Sequence, residues 1–195
     1  MEHPAAFKVS AILLAAGLSS RMGRGRDKLL LPYRGQTLLQ RAVALMAGLP
    51  LSERVLVTTP ARLERIALPP EVRVIVNDRP QAGQSESLRL GLLAATGEGY
   101  LFLAADQPRL TPASLLPLLE LAANNPDKII FPAANGKPTT PTFFPARFRA
   151  ELLAQTGDAG GRAVRAAHPQ DCVALQAQSP GDFMDVDCDE DYRAL

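Results

Sequence analysis

An almost unbroken apolar run near the start of the chain, Val9 to Ala16, limits the folds open to this sequence; only Ser10 interrupts it, and Gly17 ends it. A run without polar alternation reads as a strand buried on both faces, as in parallel sheets. The stretch that follows, to Lys28, is short, polar and basic. It holds Ser19, Ser20, Arg21, Met22, Gly23, Gly25, Arg26 and Lys28 against one carboxylate, Asp27. At the carboxyl end of a buried strand, where open α/β sheets bind ligands, such a loop offers backbone N–H groups, hydroxyls and cations suited to a polyphosphate. The plainer reading is a flexible basic loop.

Further along, strand-like and helix-like segments alternate. Apolar spacing predicts a helix over Gln36 to Ala47, stopped by Gly48. A strand over Arg54 to Thr59 precedes a short helix from Pro60 to about Ala67. A third strand, Val72 to Val76, ends at Asn77. Ser85 or Ser87 is the expected cap of a helix running to about Ala95. A strand over Tyr100 to Ala105 ends in Asp106-Gln107-Pro108, and Thr111-Pro112 starts a leucine-rich helix to Ala123. Lys128 to Phe131 reads as a strand, Ala133 to Pro141 as a loop, and Thr142 to Phe144 as a short strand. Helices are expected over Pro145 to Gln155 and Arg162 to Ala167, strands over Val173 to Gln176 and Met184 to Asp187, then an acidic helical turn. This order implies one α/β domain over residues 1–195, with residues 1–7 flexible and a largely parallel sheet covered on both faces.

With 195 residues the chain can bury a substantial core, and a net charge of +1 leaves no global field for nucleic acid or an anionic membrane. Cys172 and Cys188 have neither metal-ligand nor disulfide-framework spacing. No apolar run is long enough to span a bilayer, and MEHPAAFK lacks an apolar leader segment, so a soluble, cytoplasmic protein is expected. His3 and His168 are the only histidines, and neither stands where it pairs with a nucleophile.

The first loop fails the commoner phosphate-binding patterns. Gly17 and Gly23 are spaced wrongly for G-x-x-x-x-G-K-[ST], and the third glycine of G-x-G-x-x-G falls on Lys28. Asp106, at the end of its strand, lies on the same sheet rim as the loop and can hold Mg²⁺ against triphosphate oxygens; alternatively it is a solvated strand-end residue. Asp185 and Asp187 alternate along the expected last strand, so only one of them shares a face with Asp106 and adds a second ligand. Gly83 to Gly91 places Ser85, Ser87 and free N–H groups at a helix start, an anion or base-edge site, with Arg89 either facing that pocket or solvated. What remains is an enzyme that positions phosphates with cations and needs no protein nucleophile.

Leu14-Ala15-Ala16-Gly17-Leu18-Ser19-Ser20-Arg21-Met22-Gly23, followed by Lys28-Leu29-Leu30-Leu31-Pro32-Tyr33, resembles the signature of nucleotidyltransferases with a GT-A-like Rossmann fold, the molybdenum cofactor cytidylyltransferases and their relatives above all. Ser85 to Gly91, Ala105 to Pro108, Thr156 to Arg162 and Asp185 to Asp187 resemble later motifs of that family, in its order. The resemblance implies a three-layer sandwich around a mixed, mostly parallel sheet. It implies that Leu14 to Gly17 and Ser19 to Gly23 bind the nucleotide with Lys28, Asn77, Gly83, Ser85, Ser87 and Arg89. Arg21, Lys28 and Asp106 would be catalytic, and Asp106 and Asp187 would hold Mg²⁺.

The implied reaction transfers CMP from CTP to molybdenum–molybdopterin, for delivery to molybdenum hydroxylases; Ala15-Ala16-Gly17 favours CTP over GTP. GTP on the same pterin, another phosphorylated acceptor, and a non-catalytic nucleotide-binding delivery protein are the alternatives. An NAD(P)-linked oxidoreductase is disfavoured by the missing third glycine. Two departures from the family pattern stand out. Extra residues between Gly23 and Lys28 leave either Lys28 or Arg26 able to reach the phosphates. Thr139-Thr140-Pro141 replaces Gly-His-Pro on the acceptor side.

Overall fold

The structure is a computed structural model in which residues 7–19, 22 and 26–195 are described. In chain order the elements are β1 (Val9–Ala15), a ribbon of β2 (Pro32–Tyr33) and β3 (Gln36–Thr37), α1 (Leu38–Ala47), β4 (Glu53–Thr58), α2 (Pro60–Leu63), β5 (Val72–Val76) and α3 (Gln84–Ala94). Then come β6 (Gly99–Ala104), α4 (Pro112–Asn124), β7 (Ile129–Ala134), β8 (Lys137–Pro138), β9 (Thr142–Pro145), α5 (Arg149–Leu153), α6 (Gly160–Ala167), β10 (Cys172–Gln176) and α7 (Asp189–Arg193).

An eight-stranded sheet has the order β10-β7-β9-β6-β1-β4-β5, with β8 paired to β7. β1 pairs in parallel with β4 on one edge and β6 on the other, Leu13 standing opposite Leu56 and Leu103. Within this sheet, among the described residues, only β9 and the short β8 run antiparallel to their neighbours. The chain leaves β1 toward β4 and β5, then returns to the other side at β6. That reversal is a topological switch point, and it opens a crevice at the carboxyl ends of β1 and β6.

Helices cover both faces. Val9, Ala11, Leu13 and Ala15 of β1 pack in one cluster with Leu39, Val43 and Met46 of α1 and Leu115 and Leu118 of α4. Ile12 packs in a second cluster with Leu88 and Leu92 of α3, Leu152 of α5 and Val164 of α6. The absence of polar alternation in β1 follows from this double burial, worth roughly 1.5–3 kcal/mol for each large aliphatic side chain. α3 crosses β1 so closely that a Cβ on Gly91 would lie 2.4 Å from Ile12 Cγ2.

Several local expectations give way to tertiary contacts. Neither Ser85 nor Ser87 caps α3. Its cap position is Gly83, at φ +94°, a conformation that glycine adopts without strain. The first helical amides are taken from across the chain: Gln84 N–H donates to Asp158 Oδ1 at 3.2 Å and Ser85 N–H to Gly157 O at 2.9 Å. Met184 to Asp187 is not a strand. The Val186 amide donates to Asp106 O, and the Asp187 and Cys188 amides share Asp191 Oδ2, which leaves no ladder to form. The helix after β4 ends at Leu63, and the expected loop before Thr142 contains β8, folded back on β7 by a turn at Asn135-Gly136. Pro145 to Gln155 divides into a 3-10 turn, Ala146–Phe148, and α5. Thr111 caps α4 through a reciprocal pair with Ser114, as its Thr-Pro start indicates.

The closeness of α3 to β1 has a measurable consequence. Gly91→Ala should lower stability by up to about 2 kcal/mol, because overpacking of roughly 1–3 kcal/mol outweighs the helix-propensity gain of about 1 kcal/mol. Urea unfolding should show a lower midpoint at an unchanged slope.

Candidate active site

A cleft of about 490 Å³ opens at the switch point. Its walls include Leu14 and the Ala16-Gly17-Leu18-Ser19 loop after β1, Ala104, Ala105 and Asp106 after β6, and Gly83, Gln84 and Ser87 at the start of α3. Lys28, Asp158, Arg162 and Asp187 complete it.

At its centre the Lys28 ammonium lies 2.6 Å from Asp106 Oδ2 and 3.0 Å from Asp187 Oδ1. Burial works against the charge on Lys28, but Asp106, by its charge and its hydrogen bond, and then Asp187 more than offset this. The net effect lifts the Lys28 pKa above its ordinary value, so it stays an ammonium. Lys28 begins a single 3-10 turn, Lys28–Leu30, capped by Asp27, whose Oδ1 accepts from the Leu29 amide at 3.0 Å.

The bond from Val186 N–H to Asp106 O, with Val186 itself fully buried, draws the C-terminal segment onto the rim. Because this segment is not a strand, both of its carboxylates reach the same space: Asp185 and Asp187 each line a second chamber together with Asp106. The strict alternation expected from the sequence therefore does not apply. Asp185 is pushed up to about 7, first by burial and then by the negative charges of Asp106 and Asp187, with Lys28 and Gln107 opposing the shift.

The other sequence-derived candidates divide. Leu14, Ala16, Gly17, Ser19, Lys28, Gly83, Ser87, Asp106 and Asp187 meet at the cleft. Ala15, Met22, Asn77 and Ser85 are buried and outside its lining. Asn77 Nδ2 donates to Ser87 Oγ at 3.0 Å, so it braces a lining residue from below. Arg89 is turned to Glu86 by bonds of 2.9 Å and lies outside the lining. Arg26 pairs with Asp189 at 2.7 Å, which leaves Lys28 rather than Arg26 among the carboxylates. Ser20, Arg21 and Gly23 lie outside the described residues, as do residues 1–6 of the segment expected to be flexible. His168, the residue that ends α6, bonds Glu151 at 2.7 Å and lines neither chamber.

Sequence reasoning passed over Asp158, Gln84 and Arg62. Asp158 and Arg162 fall in a glycine-rich stretch that already resembled a family motif but carried no role. Arg62 gave no local signal, since it reads as one more polar position on a helix. Its guanidinium, 4% exposed, donates to Ala15 O and Gly17 O, both at 2.6 Å, and to both oxygens of Asp27.

The carboxylates suit a hard divalent cation. Asp106 Oδ1 is buried without a hydrogen-bond partner among the described residues, and Lys28 already fills the cationic position between Asp106 and Asp187. No group of three or more His, Cys, Asp or Glu side chains among the described residues is arranged to hold a metal unaided. That pattern fits Mg²⁺ or Mn²⁺, which use one or two carboxylates and complete their shells with water and phosphate.

A parallel-sheet switch point carrying a lysine, convergent carboxylates and an open loop defines a Rossmann-like nucleotidyltransferase; a solved nucleotidyl transferase from Methanothermobacter shares the fold at a TM-score of 0.78. The MobA-like NTP transferase domain matches residues 11–172, and the chain belongs to that family. It is 32% identical to the nicotine blue oxidoreductase of Paenarthrobacter nicotinovorans over 96% of both chains. It is 30% identical to a molybdenum cofactor guanylyltransferase of Pseudomonas syringae pv. syringae, covering 87% of this chain and 84% of that one. The manganese complex of Rv0371c from Mycobacterium tuberculosis H37Rv superposes over 96% of this chain and 97% of that one, with a TM-score of 0.77 and 23% identity. No helix among the described residues is long and apolar enough to cross a membrane.

The Asp185 shift sets a pH dependence for the metal-free protein. Between the ordinary aspartate value of 3.8 and about 7 the folded state holds a proton that the unfolded state releases. Stability should therefore fall as pH rises through that window and level off above it. Asp185→Asn should flatten this part of the profile when unfolding midpoints are measured in chelator across pH 4–8.

Proposed function

We propose that the chain transfers CMP from CTP to molybdenum–molybdopterin, forming the cytosine dinucleotide and releasing pyrophosphate. The observation that carries this reading is the Lys28 ammonium between Asp106 and Asp187 at the mouth of the first loop. A triphosphate lying along Ala16 to Ser19 would meet loop amides and that ammonium together. Mg²⁺ held by Asp106 and Asp187 would supply charge neutralisation at the phosphate oxygens; the manganese in the Rv0371c complex supports divalent-metal use.

The chamber beside the cleft, about 320 Å³, supports the acceptor side of the proposal. Leu88, Phe102 and Phe144 give it apolar walls, and Thr139, Thr140, Arg162 and Arg165 give it donors. A flat heterocycle ending in a phosphate matches both sets of groups. Asp106 and Asp187 line both spaces, so the reacting phosphates would meet beside them. An acceptor phosphate oxygen then forms the new bond to the α-phosphorus while the bond to the bridging oxygen of pyrophosphate breaks. The attacking oxygen is already anionic, so no protein base is required, in keeping with a histidine that lies elsewhere. Lys28 balances charge on the departing pyrophosphate. The resemblance gives Arg21 the same task.

Two other readings have support. Relatives named molybdenum cofactor guanylyltransferase favour GTP in the same chemistry. The relative named nicotine blue oxidoreductase, matched over its length, supports a redox reaction on the same scaffold. The purified protein should release pyrophosphate from CTP only with Mg²⁺ and molybdopterin both present. Asp106→Ala should slow turnover by about 100-fold or more, the usual loss when one electrostatic stabiliser is removed. Release from GTP alone would reassign the base. An Asp106→Ala protein that still supports the cofactor pathway in cells would favour non-catalytic delivery, and nicotinamide turnover without pyrophosphate would favour the redox reading.

A further inference from the structure

We infer that Arg62 is a positioning residue for the triphosphate, setting from outside the cleft both the shape of the loop after β1 and the place where Lys28 enters. The inference rests on the nucleotidyl-transfer reading above. Arg62 belongs to α2, which contributes nothing to the cleft lining, and its side chain is almost wholly buried. A buried guanidinium is costly unless its donors are satisfied, and here they are spent on the two ends of one loop. At the near end Nη1 donates to Ala15 O and Nη2 to Gly17 O, both at 2.6 Å, with Ser19 Oγ 3.3 Å from Nη2. At the far end Nε donates to Asp27 Oδ2 at 2.6 Å and Nη2 to Asp27 Oδ1 at 2.9 Å.

Three features tie this clamp to phosphate binding. Gly17 lines the cleft, and a carbonyl oxygen near a triphosphate repels it. Arg62 neutralises that carbonyl and polarises its peptide unit in the sense that strengthens loop N–H groups as donors. Asp27 caps the turn that carries Lys28, so the position of Arg62 passes through Asp27 to the ammonium between Asp106 and Asp187. Finally, packing does not fix Gly17 itself: a Cβ there would meet nothing within 4 Å. Ser19 nevertheless sits at φ 53°, a strained value for a non-glycine residue, which persists only where surrounding contacts impose it. Those contacts are polar: the Ser19 hydroxyl stands 3.3 Å from Arg62 Nη2, 3.4 Å from Asp27 Oδ1 and 3.4 Å from the Lys28 amide.

The test compares Arg62→Ala and Arg62→Lys with Val72→Ala. Val72 is buried at the amino end of β5, so that variant lowers stability away from the cleft rim. Unfolding midpoints are measured beside kcat and the KM for each substrate. Arg62→Ala should raise the KM for the triphosphate about tenfold or more, as misplaced binding groups do, and leave the acceptor KM unchanged. Guanidinium ion added at non-denaturing concentration should restore part of the loss by refilling the vacated site. Arg62→Lys should not rescue, because an ammonium cannot span Asp27 and two carbonyls. Val72→Ala should keep its triphosphate KM within about twofold of wild type, since a distant site does not couple to the loop.

Arg62→Ala that loses stability while keeping its triphosphate KM and kcat overturns the inference. So does a KM rise that Val72→Ala reproduces. If Arg62→Ala does not fold, Asp27→Asn, which weakens the fork at nearly constant shape, must show a smaller rise in the same parameter or the inference fails. A wild-type protein that binds neither CTP nor GTP removes the nucleotidyl-transfer reading itself, and the role of Arg62 with it.

Discussion

Everything at the cleft is referred to the end of β1, which has no free side. Both of its edges are paired and both of its faces are buried, so the point where the strand stops is as fixed as anything in the molecule. A loop leaving such a point begins from a rigid base, which is why α/β proteins place ligand sites there. The same applies to Asp106, which follows the neighbouring strand β6 and is held to the C-terminal segment through its own carbonyl. A rigid strand end carries Asp106, while Lys28 and Asp187 stand on irregular chain drawn in around it.

The charges on that rim are not arranged for stability. Burial, and after it the negative charges of Asp106 and Asp187, holds a proton on Asp185 near neutrality. Lys28 relieves only part of this, being paired with two carboxylates at once. Convergent like charges of this kind are characteristic of sites that await a ligand of opposite sign. Beneath them Arg62 and Asp27 form a nearly neutral, mostly buried pair that holds the loop without adding net charge. The region thus has two electrostatic layers: an uncompensated one facing the cleft and a compensated one behind it.

Much of this was legible along the chain. The unalternating run of β1, the strand ending at Asp106 and the Thr111-Pro112 helix start all report on local burial, periodicity or capping, and the structure keeps them. The likeness of the first loop to nucleotidyltransferase signatures agrees with a family match spanning residues 11–172. The misread segments share one cause. Ser85 and Ser87 looked like caps until Gly157 and Asp158, far along the chain, supplied acceptors to the same amides. Met184 to Asp187 looked like a strand until Asp106 and Asp191 took its donors. Arg89 looked like a cleft residue until Glu86 claimed it. In each case a backbone or side-chain group had more than one possible partner, and sequence patterns do not rank partners that are distant along the chain.

By itself, then, the sequence determined the central strand, the rim on which the loop and Asp106 lie, and the kind of chemistry those residue types suit. These follow from burial patterns and functional groups that are properties of short segments. Only the tertiary structure decided that Lys28 rather than Arg26 stands among the carboxylates, that Asp185 joins Asp106 and Asp187, and that Arg62 supports the loop from behind. Those outcomes depend on which groups the folded sheet brings within hydrogen-bonding distance, and for charged groups a few ångströms separate partners from strangers.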